Sequence, residues 1–369
     1  MNYKRFLLVM AAAGVMALTP LSRADAVGYM QTNLVSDKSA AAAATFQDPN
    51  LLNPWGVAFF PGGPFWISDN GSGKSTLYDG TGVKNLTLTV TIPAPLGDTS
   101  PGAPGPSGMV WNGNPGAFPV PVTVPIIGGT AALFIWATED GTIAAWRPTL
   151  SPITGALTVV PNTNLTTGPV YKGLAIGNNS RGLFLYATDF RNRKIAVWTS
   201  GFVADTILNG KFIDNTIPST WAPFGIQNIL GQLWVTYAKQ DTPKHDPVVG
   251  AGRGLVDIFD TDGNLIRRFA TRGVLNAPWG VVLAPRKFGV FSNDILIGNF
   301  GDGEISAWDP KTGAFIDWMR DGTTGKIIKL GTLWALVFGG GMNSSPQALY
   351  FTTGLVLEQD GLFGTLTPQ

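Results

Sequence analysis

The chain of 369 residues has no cysteine and a single histidine, His245, and only 13% of its residues are charged. The lack of cysteine excludes disulfide bonds and thiolate chemistry. A single histidine excludes any metal motif that needs two histidines from one chain, and no G-x-S-x-G nucleophile elbow occurs. Stability must therefore come from burial or bound ions, and any chemistry must come from carboxylates, lysines and this one imidazole.

Long apolar runs are also missing beyond the N-terminus. Lys4 and Arg5 precede an apolar run from Phe6 to Leu18, and the small-x-small sequence Ala24-Asp25-Ala26 follows. This order predicts a signal peptide over residues 1–26 that is cleaved after Ala26. We expect a single domain over residues 27–369, secreted or periplasmic, with no transmembrane segment because no later run reaches about 20 apolar residues.

The charge balance favours no polyanionic partner. Without the leader, Lys and Arg number 22 and Asp and Glu number 23, which leaves a net charge of about −1. A basic surface for nucleic acid or for an anionic membrane is therefore not expected.

Helical periodicity is almost absent, whereas 47 glycines and 27 prolines interrupt short apolar runs. Only the alanine-rich stretch from Asp37 to Phe46 could form a short helix. The remaining runs are typical of brief strands separated by turns.

An internal repeat organises these strands. The stretch "NPWGVAFFPGGPFWISDNGSGKSTLYDGTG" from Asn53 returns from Asn276 as "NAPWGVVLAPRKFGVFSNDILIGNFGDGEISAWDPKTG", and weaker copies lie between and after them. The repeat starts, spaced 52 to 65 residues apart, are Trp55-Gly56, Ser107-Gly108, Lys172-Gly173, Phe224-Gly225, Trp279-Gly280 and Trp334-Ala335. Six units of three or four strands predict an all-β fold, a six-bladed β-propeller.

Closure of the ring requires one more strand. The last unit, Leu333 to Leu366, lacks an outer strand, and the strand-like segment Gly28 to Val35 is otherwise unassigned. We expect this N-terminal segment to pair with the last blade, because that pairing removes an open sheet edge.

The strand pairs resemble NHL-type propellers, and "NLVSD", "DPNLLNPWG", "YAKQD.PKHD", "GAGRGLVDIFD" and "GLFG" resemble an uncharacterised family of secreted bacterial propeller proteins. Some members of that family carry a C-terminal sorting tail. The resemblance covers essentially the whole mature chain and implies the fold, but it implies no chemistry. Gluconolactonase-like and paraoxonase-like propellers hold a metal with acids or amides at the starts of the inner strands, where this chain has mostly aromatic residues.

One face of the ring gathers the candidate site. In a propeller the starts of first strands and the loops between second and third strands share a face. The candidate ligand-binding residues are Trp55, Lys172, Phe224, Trp279 and Trp334 at strand starts, with Lys239 and Lys244 as anion-holding lysines. Aromatic walls with convergent polar groups are usual in ligand pockets. The alternative is that the aromatic residues pack between blades.

Calcium is the possible cofactor. Asp69, Glu139, Asp189 and Asn299 occupy equivalent turns of four units and could supply part of an oxygen shell for Ca²⁺. The alternative is that these side chains only cap local backbone groups.

The loop that contains the histidine is the candidate catalytic feature. The chain uses 15 residues, Lys239 to Arg253, where a short turn would suffice, and loops of that length are usually functional or disordered. We expect the loop to fold over the central mouth and present His245, with Asp241 or Asp246 orienting its ring. The alternative is that His245 only hydrogen bonds within its own loop.

Three functions remain open from the sequence. The first is binding of a small polar ligand or an extracellular partner at this face. The second is a calcium-assisted hydrolase, lactonase-like or esterase-like, that uses the same face. The third is an architectural envelope protein, for which a plugged tunnel is expected. The sequence leaves open whether the protein is an enzyme and which ligand it binds.

Overall fold

The computed structural model describes residues 28–38, 42–84, 87–98, 104–121 and 130–369. These residues form six sheets, antiparallel except for one short parallel pair, arranged as the six blades of a β-propeller, which confirms the all-β fold predicted from the repeat. The predicted signal peptide, residues 1–26, lies outside the described residues.

The strands follow the repeat in chain order. Two N-terminal strands, β1 (Tyr29–Ser36) and β2 (Phe46–Gln47), precede the first blade. Blade one contains β3 (Pro54–Ala58), β4 (Phe65–Asp69), β5 (Lys74–Tyr78) and β6 (Val90–Thr91). Blade two contains β7 (Pro106–Trp111), β8 (Phe134–Thr138), β9 (Ile143–Trp146) and β10 (Leu157–Val160). Blade three contains β11 (Tyr171–Asn179), β12 (Gly182–Asp189) and β13 (Lys194–Thr199).

The second half of the ring continues in the same way. Blade four contains β14 (Trp221–Ile229), β15 (Gln232–Lys239), β16 (Gly254–Phe259) and β17 (Leu265–Thr271). Blade five contains β18 (Pro278–Leu283), β19 (Ile295–Asn299), β20 (Ile305–Trp308) and β21 (Phe315–Trp318). Blade six contains β22 (Thr332–Phe338), β23 (Leu349–Leu355) and β24 (Asp360–Pro368). Two 3₁₀ turns, Asn70–Ser72 and Gly289–Phe291, complete the elements.

At each repeat dipeptide, the regular pairing between the first two strands of the blade is interrupted. The register shifts between Pro54 and Val57 in blade one, and the same shift recurs at the dipeptide of every other blade. Bulges of this kind bend a strand and re-aim its side chains. The first residue of each dipeptide is therefore placed at the crowded centre of the ring.

Glycine follows in five blades because the neighbouring blade is too close for a side chain. A Cβ on Gly108 would lie 2.2 Å from the Leu174 nitrogen, and one on Gly225 would lie 2.1 Å from the Trp279 carbonyl oxygen. These contacts explain why the repeat needs glycine at the second position of the dipeptide.

Hydroxyl groups of second strands connect adjacent blades at the same level. Thr188 accepts a hydrogen bond from the Gly173 nitrogen at 2.7 Å and donates to the Phe224 carbonyl at 2.8 Å in the next blade. Thr352 makes the corresponding bonds between the Ala335 nitrogen and the Trp55 carbonyl, across the junction of the last and first blades. The bulges are therefore hydrogen bonded rather than left open.

The N-terminal strand closes the ring as predicted. β1 pairs antiparallel with β24 from Tyr29 opposite Pro368 to Ser36 opposite Leu362, so the first and the last strands of the described residues lie together in blade six. The stretch Asp37 to Phe46 is not the expected helix in its described part, because Phe46 pairs in parallel with Val35 of β1. Among the described residues, no helix is long and apolar enough to span a bilayer.

Candidate ligand site at the propeller mouth

The aromatic residues at the strand starts fill the centre of the ring. The Trp334 ring lies 3.5 Å from that of Trp55, 5.8 Å from those of Phe224 and Trp279, and 4.6 Å from that of Phe300, measured between centroids. Trp55, Phe224, Trp279 and Trp334 are each at most 3% exposed. They pack as the alternative interpretation expects, as a plug rather than as the open walls of a pocket.

Lys172 is the exception among the strand starts, because it is a wholly buried lysine. Its ammonium lies 5.1 Å from the Trp55 ring centroid, forms a close ion pair with Glu139, and lies 3.1 Å from Asp246 Oδ1. A buried charge is tolerated only when it is paired and hydrogen bonded, and Lys172 meets both conditions. Lys172 therefore organises a polar layer above the aromatic plug.

The two acids keep this lysine charged. Burial opposes the ammonium, yet Glu139 and Asp246 outweigh burial and raise the pKa of Lys172. The pKa of Asp246 is lowered although burial opposes its charge, because His245 and Lys172 both favour the carboxylate. Lys172 and Asp246 are therefore both ionised at neutral pH.

The loop from Lys239 to Gly254 folds back on itself. The Asp241 nitrogen donates to the Asp246 carbonyl at 2.9 Å, and the Asp241 carboxylate accepts from the His245 nitrogen at 2.8 Å. Gln240 anchors the base of the loop to blade three by donating to the Phe190 carbonyl at 2.6 Å. These bonds bring His245 and Asp246 to Lys172, so the loop reaches the central cluster.

The ring of His245 bonds Asp246, whereas Asp241 bonds only its backbone nitrogen. Its Nδ1 lies 3.0 Å from Asp246 Oδ1, and this hydrogen bond raises the pKa of His245. A carboxylate only accepts, so Nδ1 carries the proton and Nε2 is left for a ligand. The His245 side chain is 37% exposed. Of the two predicted partners, Asp246 orients the ring and Asp241 holds the backbone.

Lys239 and Lys244 lie elsewhere. They line a pocket of about 350 Å³ together with Ser219 and Thr220. Among the described residues, no contact joins these two lysines to the cluster around Lys172, so they do not form one site with it.

The four residues predicted as calcium ligands are not brought together either. Asp189 accepts from the Asn192 side chain at 2.8 Å, and Asn299 bonds the Asn276 nitrogen at 3.1 Å and the Val274 carbonyl at 2.8 Å. Asp69 is fully buried, and burial raises its pKa well above the usual range. Asp189 and Asn299 therefore bond groups near their own strands, as the alternative interpretation expects, whereas Glu139 pairs with Lys172 of the next blade.

Within the described ranges, the one cluster of acids and histidine with metal-like spacing is Glu139, His245 and Asp246, with ligand atoms within 4.8 Å of one another. Lys172 pairs with both of these carboxylates. A cation placed among them would meet the ammonium, so the donor set fits an internal ion pair better than a metal.

A chain of amides extends the polar layer toward the ring closure. Asn70 donates to Glu139 Oε2 at 2.8 Å, Asn53 donates to Asn70 at 3.4 Å, and Trp334 donates to Asn53 at 3.2 Å. Glu358 adds a third acid that the sequence analysis missed. It lies in the turn between β23 and β24. The sequence could have indicated it, because this turn joins the second and third strands of the sixth unit, as the turn that carries Glu139 does in the second unit.

Solved structures with this fold are propellers of several kinds. The soluble aldose sugar dehydrogenase of Escherichia coli matches with a TM-score of 0.54 and 14% identity, over 92% of this chain and 100% of that one. A streptogramin B lyase matches with a TM-score of 0.50 and 13% identity, over 92% and 97%. A catalytically inactive variant of the virginiamycin B lyase of Staphylococcus aureus, in which alanine replaces a histidine, was solved with quinupristin and matches with a TM-score of 0.50 and 12% identity, over 92% and 99%. At these identities the likeness shows a six-bladed β-propeller and no more.

Sequence relatives define the family. The chain is 35% identical over 309 residues to "Uncharacterized protein R648" of Acanthamoeba polyphaga mimivirus, covering 81% of this chain and 72% of the relative. It is 31% identical over 361 residues to "Uncharacterized protein L690" of the same virus, covering 95% and 88%. No protein-family model matches. The chain belongs to the family of these mimivirus proteins. The bacterial origin inferred from the resemblance is not confirmed, and export stays a prediction.

Proposed function

We propose that the protein binds a small polar ligand at the mouth formed by Lys172, Glu139, His245 and Asp246. The observation that carries this proposal is the contact of Asp246, on a long surface loop, with the wholly buried Lys172. A loop whose tip is held by a central ion pair is a preorganised polar site, and such sites bind ligands at low entropic cost. Export of the mature domain, directed by residues 1–26, is part of the proposal.

The aromatic plug sets the limits of this site. Because the rings of Trp55 and Trp334 stack in the centre, a ligand is expected to remain above them, in the polar layer. A filled tunnel is also what an architectural ring protein predicts. Such a ring has no need for a buried lysine between two acids, which is why we prefer the binding function.

A thermal-shift screen tests the proposal. Neutral sugars, amino acids, organic acids and amines would be added to the wild-type protein, to His245→Ala and to Thr242→Ala, an exposed change in the same loop. We expect at least one class to raise the melting temperature of wild type and of Thr242→Ala but not of His245→Ala. Without ligand, His245→Ala should cost less than about 1 kcal/mol, since the residue lies outside the core. Equal shifts in all three proteins, or none in any, would remove the proposal.

Acid–base catalysis at the same mouth is the second candidate. The hydrogen bond between His245 Nδ1 and Asp246 leaves Nε2 able to exchange a proton, which is the arrangement of a general base. The propeller lyase named above loses catalysis when one histidine is replaced, and a lyase or hydrolase is the analogous activity to test. Turnover of lactones or esters that disappears in His245→Ala would favour catalysis over binding alone.

A further inference from the structure

The turn between β23 and β24, residues 356–359, is the sixth-blade counterpart of the turns that carry Asn70 and Glu139 and of the loop that carries His245. It therefore lies on the mouth face. Three of its residues, Val356, Leu357 and Glu358, have positive φ angles of 47°, 55° and 68°. Side chains other than glycine rarely adopt this conformation, least of all a β-branched valine. Strained backbone of this kind is concentrated at functional sites.

The turn also inverts the usual burial of its side chains. Val356 is 62% exposed and Leu357 is 89% exposed, whereas Glu358 is turned inward. Gly354 leaves space for this arrangement, because a Cβ there would lie 2.7 Å from Asn53 Oδ1 and 3.2 Å from Glu358 Cγ. Two apolar side chains are thus exposed to water while an acid faces the site.

The inward acid is incompletely paired. Glu358 Oε1 is buried and makes no hydrogen bond to any described residue, and the same holds for Trp55 Nε1 beneath the Lys172 ammonium. Unpaired buried polar atoms are costly, and each one calls for an explanation. A partner supplied from outside the protein would satisfy Glu358.

The surrounding charges define what that partner must be. Lys172 is ion-paired with Glu139 and Asp246, and among the described residues no cation lies within ion-pair distance of Glu358. The pKa of Glu358 is raised to about 7, because burial and the charges of Glu139 and Asp246 outweigh the charge of Lys172 and a side-chain hydrogen bond with Asn53. The missing partner is a hydrogen-bond donor, and a positively charged donor would favour the ionised acid most.

We propose that Glu358 is a ligand-contacting residue of the mouth and that the ligand carries an amine or ammonium group, which pairs with its carboxylate. This inference rests on the proposed binding function. When the cationic group binds, the protonated fraction of Glu358 releases its proton to solvent, and the carboxylate pairs with the ligand. Binding is therefore stronger at higher pH.

Calorimetric titrations with ethanolamine and spermidine, whose amines stay protonated near neutrality, test the inference. For a group with a pKa near 7, the association constant of the probe should rise about tenfold from pH 6 to pH 8. In buffers of different ionisation enthalpy, wild type should release a proton on binding. Glu358→Gln should bind both amines much more weakly than wild type at pH 8. Its affinity should also vary less with pH, and any variation that remains is expected from His245. Gln359→Ala, an exposed change in the same turn, should behave as wild type.

The outcomes separate this inference from the proposed function. If sugars or organic acids bind through His245 while neither amine binds, the binding function stands and the amine inference is wrong. Equal amine affinity in wild type and Glu358→Gln would also overturn it. Glu358→Asp keeps the charge but has a shorter side chain. It should bind the amines more weakly than wild type and still show part of the pH dependence that Glu358→Gln loses. Thermal melting of each variant shows that the comparison is made on folded protein.

Discussion

Replacement of Glu358 by glutamine should change how stability depends on pH. The pKa of this acid rises from 4.5 to about 7 in the folded protein, so the native state binds its proton more tightly than the unfolded chain does. The protonated Glu358 therefore contributes to the free energy of unfolding below about pH 4.5, and this contribution is lost as the pH rises through about 7. The shift corresponds to roughly 3 kcal/mol, at 1.36 kcal/mol for each pKa unit.

Glutamine fits the same space and does not titrate. Relative to wild type, Glu358→Gln should be about equally stable at pH 4 and more stable at pH 8.5, by up to roughly 3 kcal/mol. Urea denaturation of both proteins at pH 4, 5.5, 7 and 8.5 measures this difference directly, and the titration of other groups cancels between them. Gln359→Ala provides the matched control, because it alters the same turn without an ionisable group.

A difference between Glu358→Gln and wild type that stayed constant with pH would refute the reasoning. It would mean that the Glu358 carboxylate is as well solvated in the folded protein as in the unfolded chain. The expected result, a variant that is more stable above pH 7 and binds amines less well, is the trade-off typical of residues kept for function.

Deletion of Gly28 to Val35 should lower stability by roughly 5 kcal/mol or more, because it exposes buried side chains of β1 and opens the edge of β24; an unchanged melting curve would show that the segment only tethers the chain. Lys172→Met should cost about 3–5 kcal/mol by leaving Glu139 and Asp246 without their cation, and adding Glu139→Gln should recover part of it; additive costs would contradict the coupling. Calcium and chelator should leave the melting temperature unchanged, because the Lys172 ammonium is already paired with both acids. A calcium-dependent gain, about 2.7 kcal/mol at a hundredfold excess over Kd, would instead support the calcium-assisted hydrolase.

The repeat could be predicted from sequence because its physical cause is local. Five of the six dipeptides, such as Phe224-Gly225, combine a side chain for the centre with a glycine that admits the next blade. The closing strand was predictable from the missing outer strand of the last unit. Both features follow from rules for sheets that hold in any propeller.

The site was only partly predictable, because it depends on which side chains the turns aim inward. The sequence placed His245 near an acid but could not separate Asp241 from Asp246, since the fold of the loop decides which one reaches the ring. Glu358 was missed because its turn, residues 356–359, contains no glycine, asparagine or aspartate to indicate left-handed backbone. The tryptophans were predicted as possible walls of a ligand pocket, but whether they line a pocket or stack on Trp334 depends on three-dimensional packing.

The pairing of β1 with β24 affects the order in which the blades can fold. The strand that is synthesised first has to wait for a partner more than 300 residues later in the chain, so the final blade is assembled by the most distant contact in the sequence. Contacts of such long range are slow to form. The Gln369 nitrogen donates a hydrogen bond to the Gly28 carbonyl at 3.0 Å, which places these two residues side by side. A short linker between them, with new ends opened between two other blades, would make the sixth blade contiguous in the chain and move the late step to another junction of the ring.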